Sequence, residues 1–312
     1  MNSPTVRRAQ DNPPYLSFVL ALLTVCSLVL DQLLFLVAKR FVSGETIREA
    51  VAAVRRLNAS GIRTTLDVLG ENVKDRRAAE AAVAAYLETL DWIHREGLSS
   101  NVSLKLTQMG LDIDRDYCLT NVARICERAA VSNNFVRIDM EGSTYTERTL
   151  NVFYELLQKH QNVGIVIQAY LHRSEQDVRR LIERGAQVRL CKGAYKEPPS
   201  LAVQTMAAVR QNFMSLASLL LSQGNRPAIA THDDVLISWT KNYVGQHQLP
   251  KDGFEFQMLY GVRSETQRQL AAQGYSMRVY VPFGTHWLPY FYRRLRERKE
   301  NVAFVLKHLF RT

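Results

Sequence analysis

Eight short apolar or β-branched runs recur along this chain, with helical patterns between them. The runs are TTLDVL (64–69), VSLKL (102–106), FVRIDM (135–140), VGIVIQA (163–169), QVRLCK (187–192), AIATH (228–232), FEFQML (254–259) and MRVYVP (277–282). The clearest helical patterns cover residues 75–96, 118–131, 146–159, 174–184, 201–221, 264–273 and 287–297. This alternation predicts a parallel sheet, because parallel neighbours need a crossover connection between them.

The turn after the first run separates two architectures that such a sheet can adopt. An open, doubly wound sheet commonly has a glycine-rich phosphate turn there, and Leu69-Gly70-Glu71-Asn72 lacks that pattern. Eight β/α units without it favour a closed (β/α)8 barrel of the TIM type, which needs about 250 residues. No linker rich in Pro, Gly or Ser interrupts the units. We therefore predict a helical amino-terminal extension over residues 1–60 and a catalytic barrel with carboxyl-terminal helices over residues 61–312.

The extension contains an apolar run from Tyr15 to Leu30, which Asp31 and Gln32 interrupt. This run is shorter than the roughly 20 residues that a spanning helix needs. We interpret it as helices that pack on the barrel or lie on a membrane, with a spanning helix as the alternative. The sequence thus predicts a cytoplasmic protein with peripheral contact through residues 15–38 at the inner face of the membrane.

Charge and cysteine content narrow the classes of partner. The formal net charge of +10 favours anionic partners, but the Lys and Arg residues are scattered and form no dense block, so nucleic acid is not expected. The four cysteines form no Cys-x-x-Cys pair and have no His at zinc-ligand spacing. We therefore expect a reducing compartment, no disulfide framework and no metal site.

Polar residues at the ends of the runs are the candidate functional groups, because the carboxyl ends of barrel strands face the active site. They are Asp67, Lys105, Asp139, Gln168, Arg189, Lys192, Thr231 and His232, together with Leu259 and Tyr280. A buried charge without a partner is costly, so the charged members are expected to pair or to bind a ligand. Lys105 can pair with Asp139 on the next strand, and a charged lysine suits carboxylate binding better than Schiff-base chemistry.

Two further segments carry clustered cations. In the helix predicted after the last run, Tyr290, Arg293, Arg294 and Glu297 share one face, so Glu297 can pair with Arg293. The two arginines can grip a carboxylate beside an aromatic wall of Tyr280 and Tyr290, unless the helix is merely a solvated surface.

The segment from Arg189 to Tyr195 is the second of these. Arg189 and Lys192 can stabilise a reduced flavin, hold a phosphate, or form structural ion pairs, and Gly193 permits close backbone approach. The sequence has no motif typical of a nucleophile, so a cofactor is expected to carry the chemistry.

Ordered motifs from about residue 38 to residue 301 resemble the proline dehydrogenase family, in its short monofunctional bacterial branch. They are AKRFVSGET, LDVLGENV, VSLKLTQMG, VRIDMEGS, RLCKGAY, ATHDD, FQMLYGVR and VYVPFGTHWLPYFYRRLRERKEN. The resemblance implies FAD-dependent oxidation of L-proline by hydride transfer to flavin N5, giving 1-pyrroline-5-carboxylate. It further implies reoxidation of the flavin by membrane quinone, and a separate 1-pyrroline-5-carboxylate dehydrogenase downstream.

The resemblance also assigns roles to residues. The catalytic group it implies is Lys105, Asp139, Tyr280, Tyr290, Arg293, Arg294 and Glu297. The implied substrate contacts are Lys105, Ala194, Tyr195, Leu259, Tyr280, Tyr290, Arg293 and Arg294, and the FAD contacts are Gln168, Arg189, Lys192, Gly193, Ala194, Thr231 and His232. The alternatives are a dehydrogenase for 4-hydroxyproline or another cyclic imino acid, a Schiff-base lyase using Lys105 or Lys192, and a membrane-associated scaffold without activity.

Overall fold

A closed barrel of eight parallel strands forms the centre of the protein in the computed structural model. The structure describes residue 35 and residues 38–297, with only the backbone for residues 295–297. The strands are β1 (Arg63–Val68), β2 (Ser100–Leu104), β3 (Val136–Ile138), β4 (Val163–Gln168), β5 (Gln187–Cys191), β6 (Ala228–Ala230), β7 (Glu255–Leu259) and β8 (Met277–Phe283). Each strand pairs with its neighbour in sequence, and β8 closes the barrel against β1. The predicted (β/α)8 barrel is confirmed.

Helices cover the outside of the strands. Those within the described residues are α1 (Ile47–Asn58), α2 (Arg76–Arg95), α3 (Arg115–Val131), α4 (Ser143–Lys159), α5 (Ser174–Glu183), α6 (Met206–Gln223), α7 (Asp234–Gln246), α8 (Ser264–Ala272) and α9 (Trp287–Glu297). The helical patterns read from the sequence omitted α7. In α7 the apolar Val235 is exposed beside the buried Leu236 and Ile237, so no clean apolar stripe marks the helix.

Contacts divide the chain into two compact units. The larger unit is Phe41–Arg293, and the smaller unit combines Met1–Arg40 with Arg294–Thr312. Helix α1, which the sequence analysis placed in the amino-terminal extension, belongs to the larger unit. The division at residue 60 stays a prediction, and most of the apolar segment 15–38 lies outside the described residues. Within the part that is described, no helix combines the length and the apolar character needed to cross a membrane.

Short polar side chains begin several helices at the ends of the loops that follow the strands. The Asp75, Asp114 and Thr205 side chains each accept a backbone N–H of the first turn, at α2, α3 and α6. Asp233 does the same for α7. Such caps satisfy amide donors that have no partner within the helix, and replacing one with alanine costs about 1 kcal/mol. Asp233 therefore has a structural role beside any role in binding.

The interior of the barrel is polar along the strands that carry the candidate site. Side chains alternate between the two faces of a strand, so Thr65 and Asp67 share a face of β1, and Arg278 and Tyr280 share a face of β8. By contrast, all six residues of β4 are buried, four of them Val or Ile, as expected for a parallel strand covered on both sides. The polar alternation produces a layer of charged groups at each end of the barrel.

Candidate active site

The region at the carboxyl ends of the eight strands is named the carboxyl-terminal mouth. Asp139, directly after β3, is the centre of a hydrogen-bond network in this region. Its Oδ1 accepts from Ser103 Oγ at 2.6 Å and from Arg189 Nη1 at 2.9 Å. Its Oδ2 accepts from Tyr280 Oη at 2.7 Å and from Lys105 Nζ at 3.2 Å. Burial alone would raise the pKa of Asp139, but the charges of Lys105 and Arg189 lower it below its ordinary value. Asp139 is therefore an ionised anchor that fixes two cations and a phenol.

Lys105 lies just beyond the end of β2 and is 8% exposed. Its ammonium contacts Asp67 Oδ1 at 3.2 Å, Asp139 Oδ2 at 3.2 Å and Tyr280 Oη at 3.4 Å. Burial acts to lower the pKa of Lys105, but the two carboxylates outweigh it and hold that pKa well above the ordinary value. Lys105 is consequently a permanent cation at neutral pH, as the sequence predicted.

Asp67, at the penultimate position of β1, is the second carboxylate of Lys105. Burial raises the pKa of Asp67, and the neighbouring Asp139 adds to the increase while Lys105 opposes it. Tyr86 of α2 donates to the Ser103 carbonyl at 2.8 Å, and its hydroxyl is 3.4 Å from Asp67 Oδ1. Asp67 Oδ2 is buried and has no hydrogen-bond partner among the described residues. Helix α2 thus contacts the network from outside the barrel through the Tyr86 hydroxyl.

Arg189 of β5 is nearly fully buried, and only part of its guanidinium is satisfied. Nη1 donates to Asp139 at 2.9 Å and to Ser103 Oγ at 3.2 Å. Nε and Nη2 have no partner within the described part of the chain. The guanidinium carbon lies 5.4 Å from the centre of the Tyr280 ring. Since a buried unmatched donor costs about 1–3 kcal/mol, these two nitrogens are suited to an acceptor brought by a ligand.

Arg293 of α9 is brought to the same region by an ion pair with Glu71. The distance from Arg293 Nη1 to Glu71 Oε1 is 2.6 Å. Burial acts to lower the pKa of Arg293, but the Glu71 carboxylate raises it. Tyr195 lies within electrostatic reach of both Arg293 and Lys105, and burial raises its pKa to about 12. The Tyr195 phenol therefore lies near both cations.

The loop after β5 is fixed from two sides. Gln168, at the end of β4, accepts from Ala194 N at 3.2 Å and donates to the Glu141 carbonyl at 2.9 Å. Gly193 has a φ of +125°, and a Cβ there would lie 2.2 Å from the Tyr170 ring. The glycine is thus needed for contact with Tyr170, a reason that the sequence did not show.

Lys192, Thr231 and His232 lie in a second cluster around β5, β6 and β7. Asp233 Oδ2 accepts from Lys192 Nζ at 3.1 Å and from Arg210 Nε at 2.9 Å. The Thr231 hydroxyl accepts from Asp233 N at 3.1 Å. His232 Nε2 accepts from Leu259 N at 2.9 Å, which fixes the tautomer with the proton on Nδ1. The contacts of this cluster centre on the Asp233 carboxylate and on the backbone N–H of Leu259.

The last three predicted residues differ in what the structure says of them. Tyr290 is buried on α9. Arg294 is assigned to the smaller unit, so its role in a carboxylate clamp stays a prediction. The side chain of Glu297 lies outside the described residues, and Arg293 pairs with Glu71.

Several contributing residues were missed or left without a role by the sequence analysis. They are Ser103, Tyr86, Glu71, Glu141, Arg210 and Asp233. Ser103 had a usable signal, because it stands two positions before Lys105 and so faces the same side of β2. Glu71 and Arg210 had none, because their partners are 222 and 23 residues away in sequence. Such contacts are produced by the tertiary fold, through barrel closure for Glu71 with Arg293 and through packing of neighbouring β/α units for Arg210 with Asp233.

The fold and the mouth define a class: a (β/α)8 barrel with a network of buried cations, carboxylates and a phenol at the carboxyl ends of its strands, where barrel enzymes have their active sites. The family model described as "Proline dehydrogenase" matches residues 50–307. Proline dehydrogenase 1 of Bacillus subtilis (strain 168) is 44% identical over 270 residues, covering 86% of this chain and 89% of that protein. Proline dehydrogenase of Deinococcus radiodurans is 40% identical over 275 residues, with the same coverage of 86% and 89%.

The chain belongs to the proline dehydrogenase family, and the predictions of this family and of an oxidoreductase are confirmed. Membership implies a flavin cofactor. Among solved structures, proline utilization A from Bdellovibrio bacteriovorus aligns with a TM-score of 0.78 and 28% identity over 84% of this chain. The chain spans about a third (32%) of the length of that protein.

Proposed function

We propose that the protein oxidises L-proline to 1-pyrroline-5-carboxylate with FAD bound at the carboxyl-terminal mouth. The observation that carries the proposal is the Asp139 network, in which a permanently charged Lys105 and a half-satisfied Arg189 meet across the barrel. This arrangement offers positive charge to a carboxylate on one side and hydrogen-bond donors to a cofactor on the other. An amino-acid dehydrogenase needs both features, because it binds a substrate carboxylate and a redox cofactor side by side.

The substrate carboxylate would be held by Lys105 and Arg293, joined by Arg294 as the sequence predicts. Lys105 and Arg293 are both cationic, and carboxylates bound by charged donors gain about 1.5–3 kcal/mol per hydrogen bond. Asp139 and Glu71 keep their cations in fixed positions and limit the entropy that binding costs. Tyr280, Tyr195, Tyr290 and Leu259 would enclose the apolar part of the proline ring.

The residues of the mouth fit a flavin. Arg189 provides two buried donors that lack partners within the described chain, and an electron-rich ring nitrogen or carbonyl oxygen would satisfy them. Lys192, Thr231 and His232 would hold the remainder of FAD, with Gln168, Gly193 and Ala194 shaping the wall. When bound, the flavin supplies the acceptor for the hydride that leaves the proline carbon next to nitrogen. The chain itself binds and orients the two partners.

Absorbance spectroscopy tests this function directly. We expect the purified protein to show flavin absorbance that bleaches when L-proline is added without oxygen, because the cofactor is reduced. A colourless protein that FAD does not affect would contradict the proposal. Comparison of kcat/KM for L-proline and 4-hydroxyproline decides between the two cyclic substrates.

Arg189→Gln tests the fit of the cofactor. The substitution removes the partnerless donors, so the variant should retain much less flavin after purification than the unchanged protein. Arg179→Gln is a matched control, because it removes an arginine from an exposed pair with Glu175 on α5. Equal flavin content in both variants would refute a cofactor contact by Arg189.

The lyase alternative is disfavoured by the charge of Lys105. Schiff-base formation needs a neutral amine, and the pKa of Lys105 is raised well above its ordinary value. Borohydride should therefore fail to trap substrate on this lysine. Covalent trapping there would reverse the assignment.

Electron transfer to membrane quinone completes the proposed reaction, with the protein in the cytoplasm and residues 15–38 touching the inner face of the membrane. The support is the apolar run Tyr15–Leu30 in the sequence. Flotation with liposomes tests it: the full chain should float, and Leu22→Asp with Leu23→Asp should reduce flotation without changing reduction of the flavin by proline. Equal flotation of both proteins would contradict a contact through this segment. A downstream 1-pyrroline-5-carboxylate dehydrogenase would be a separate protein.

A further inference from the structure

A cavity, named the amino-terminal cavity, lies at the end of the barrel opposite the Asp139 network. Its volume is about 510 Å³. Residues that begin strands line it, among them Arg63 of β1, Gln187 of β5 and Glu255 of β7. Because parallel strands all run the same way, these positions mark the end remote from the carboxyl-terminal mouth. A strand of about five residues, roughly 17 Å, separates the two regions.

The charges of the amino-terminal cavity do not balance. Four arginines line it, namely Arg63, Arg137, Arg226 and Arg278, against two carboxylates, Glu255 and Asp252. Four positive charges less two negative charges leave a formal excess of two. Such an excess inside a cavity attracts anions more strongly than the same charges on an open surface.

Glu255 cannot neutralise the excess, because two arginines already share it. Arg278 Nε lies 2.9 Å and 3.1 Å from its two oxygens, and Arg63 Nη2 lies 3.5 Å from Oε2. Burial acts to raise the pKa of Glu255, but the arginines lower it to about 2. Asp252 is exposed. The ionised Glu255 carboxylate is therefore shared by Arg63 and Arg278 and leaves the excess positive charge of the cavity in place.

Arg137 is the most deeply buried of the four arginines, at 3% exposed. Its Nη1 donates to the carbonyls of Gln187 at 2.6 Å and Ile165 at 3.4 Å. Its Nε is buried without a hydrogen-bond partner, and the guanidinium has no carboxylate partner, within the described residues. Burial and the positive charges of Arg189 and Arg278 lower the pKa of Arg137 to about 9, which still leaves it cationic at neutral pH. The protein thus holds, on the wall of this cavity, a buried cation that forms no ion pair with a carboxylate of the described residues.

The sequence around Arg137 makes room for this cation. Gly164 on β4 lies beside it, and a Cβ there would be 2.6 Å from Arg137 Nη1. The Phe135 ring lies 4.8 Å from the Arg137 guanidinium carbon. Arg137 is therefore packed between Gly164 and Phe135 where it lines the amino-terminal cavity.

We propose that the amino-terminal cavity binds a small multivalent anion, of the phosphate or dicarboxylate class, between Arg137, Arg63, Arg226 and Arg278. Guanidinium groups recognise these anions through paired hydrogen bonds. The exposed residues Arg226 and Asp252 lie at the rim, so the anion enters from solvent without passing the carboxyl-terminal mouth. The site is independent of proline oxidation.

Thermal unfolding of the full-length protein, saturated with FAD, tests the proposal. Phosphate, succinate and chloride are titrated separately at constant ionic strength. An anion at 100 times its Kd should raise the Tm by about 5–10 °C, because it binds only the folded state. A saturable rise with phosphate alone assigns the site to phosphate, and one with succinate assigns it to dicarboxylates. A rise equal to that in chloride overturns the proposal.

Variants of the lining arginines test whether the anion binds in the amino-terminal cavity. Arg226→Gln and, separately, Arg63→Gln should lower the apparent affinity for the anion at least about tenfold, the loss expected from one charge-assisted hydrogen bond. Both residues are partly or fully exposed, so the variants should fold. Arg179→Gln removes the same charge from α5 and should leave the affinity unchanged. If all three variants bind the anion as the unchanged protein does, binding occurs elsewhere and the proposal fails.

Discussion

Replacing Asp139 with asparagine should destabilise the protein strongly, although the two side chains have nearly the same shape. The change removes a buried negative charge that contacts Lys105 at 3.2 Å and Arg189 at 2.9 Å. It also replaces one accepting oxygen of Asp139 with an amide NH2 group, which is a donor and would face the donors that the oxygen now accepts from. Lys105 keeps Asp67 as a partner, but in the described residues Arg189 keeps no carboxylate.

The expected magnitude follows from these contacts. Removing one partner of a buried ion pair costs about 3–5 kcal/mol. The retained contact between Lys105 and Asp67 favours the lower value, about 3 kcal/mol at neutral pH. In a domain of this size, 1 kcal/mol corresponds to about 2–4 °C in Tm, so the Tm should fall by about 6–12 °C. Differential scanning calorimetry with saturating FAD measures it.

The pH dependence provides a second observation on Asp139→Asn. Because folding lowers the pKa of Asp139, its contribution is complete above the pKa of an unfolded aspartate and is lost as the pH falls through the folded pKa. The difference between the two proteins should therefore shrink in acid.

Asp116→Asn is the matched control for Asp139→Asn. Its side chain is 82% exposed and pairs with Arg115 at the surface, where such pairs contribute about 0–1 kcal/mol. A Tm of Asp139→Asn within 2 °C of that of Asp116→Asn, by the scale above, would refute the argument that buried charge organises the site.

Three further predictions concern other parts of the molecule. Glu255→Gln should destabilise the protein by about 3 kcal/mol at neutral pH, since the pKa falls from 4.5 to about 2, and the difference should vanish between about pH 5 and 2 in acid-unfolding curves. Gly193→Ala should cost about 1–3 kcal/mol and lower flavin retention, because the added Cβ strains the backbone and meets Tyr170; unchanged denaturation and cofactor content would exclude this. Arg294→Met should raise the KM for proline about 10- to 150-fold with an unaltered flavin spectrum, and an unaltered KM would remove Arg294 from the carboxylate clamp.

The barrel could be predicted because its periodicities are local. Each strand is a short run bounded by turns, and the run 163–169 is apolar enough to identify a strand covered on both sides. Boundaries were less certain, as for β6, which ends at Ala230, whereas the pattern continued to His232. Helix α7 was missed since its apolar residues form no single stripe.

The sequence by itself determined the order of the strands in the barrel and the positive charge of Lys105 beside Asp139. These follow from alternation along a strand and from the cost of burying a lone charge. Only the tertiary structure decided that Glu71 pairs with Arg293, that Arg189 reaches across to Asp139, and that four arginines meet at the amino-terminal cavity. The physical reason is closure of the barrel: it brings together side chains far apart in sequence, at distances that no local pattern encodes.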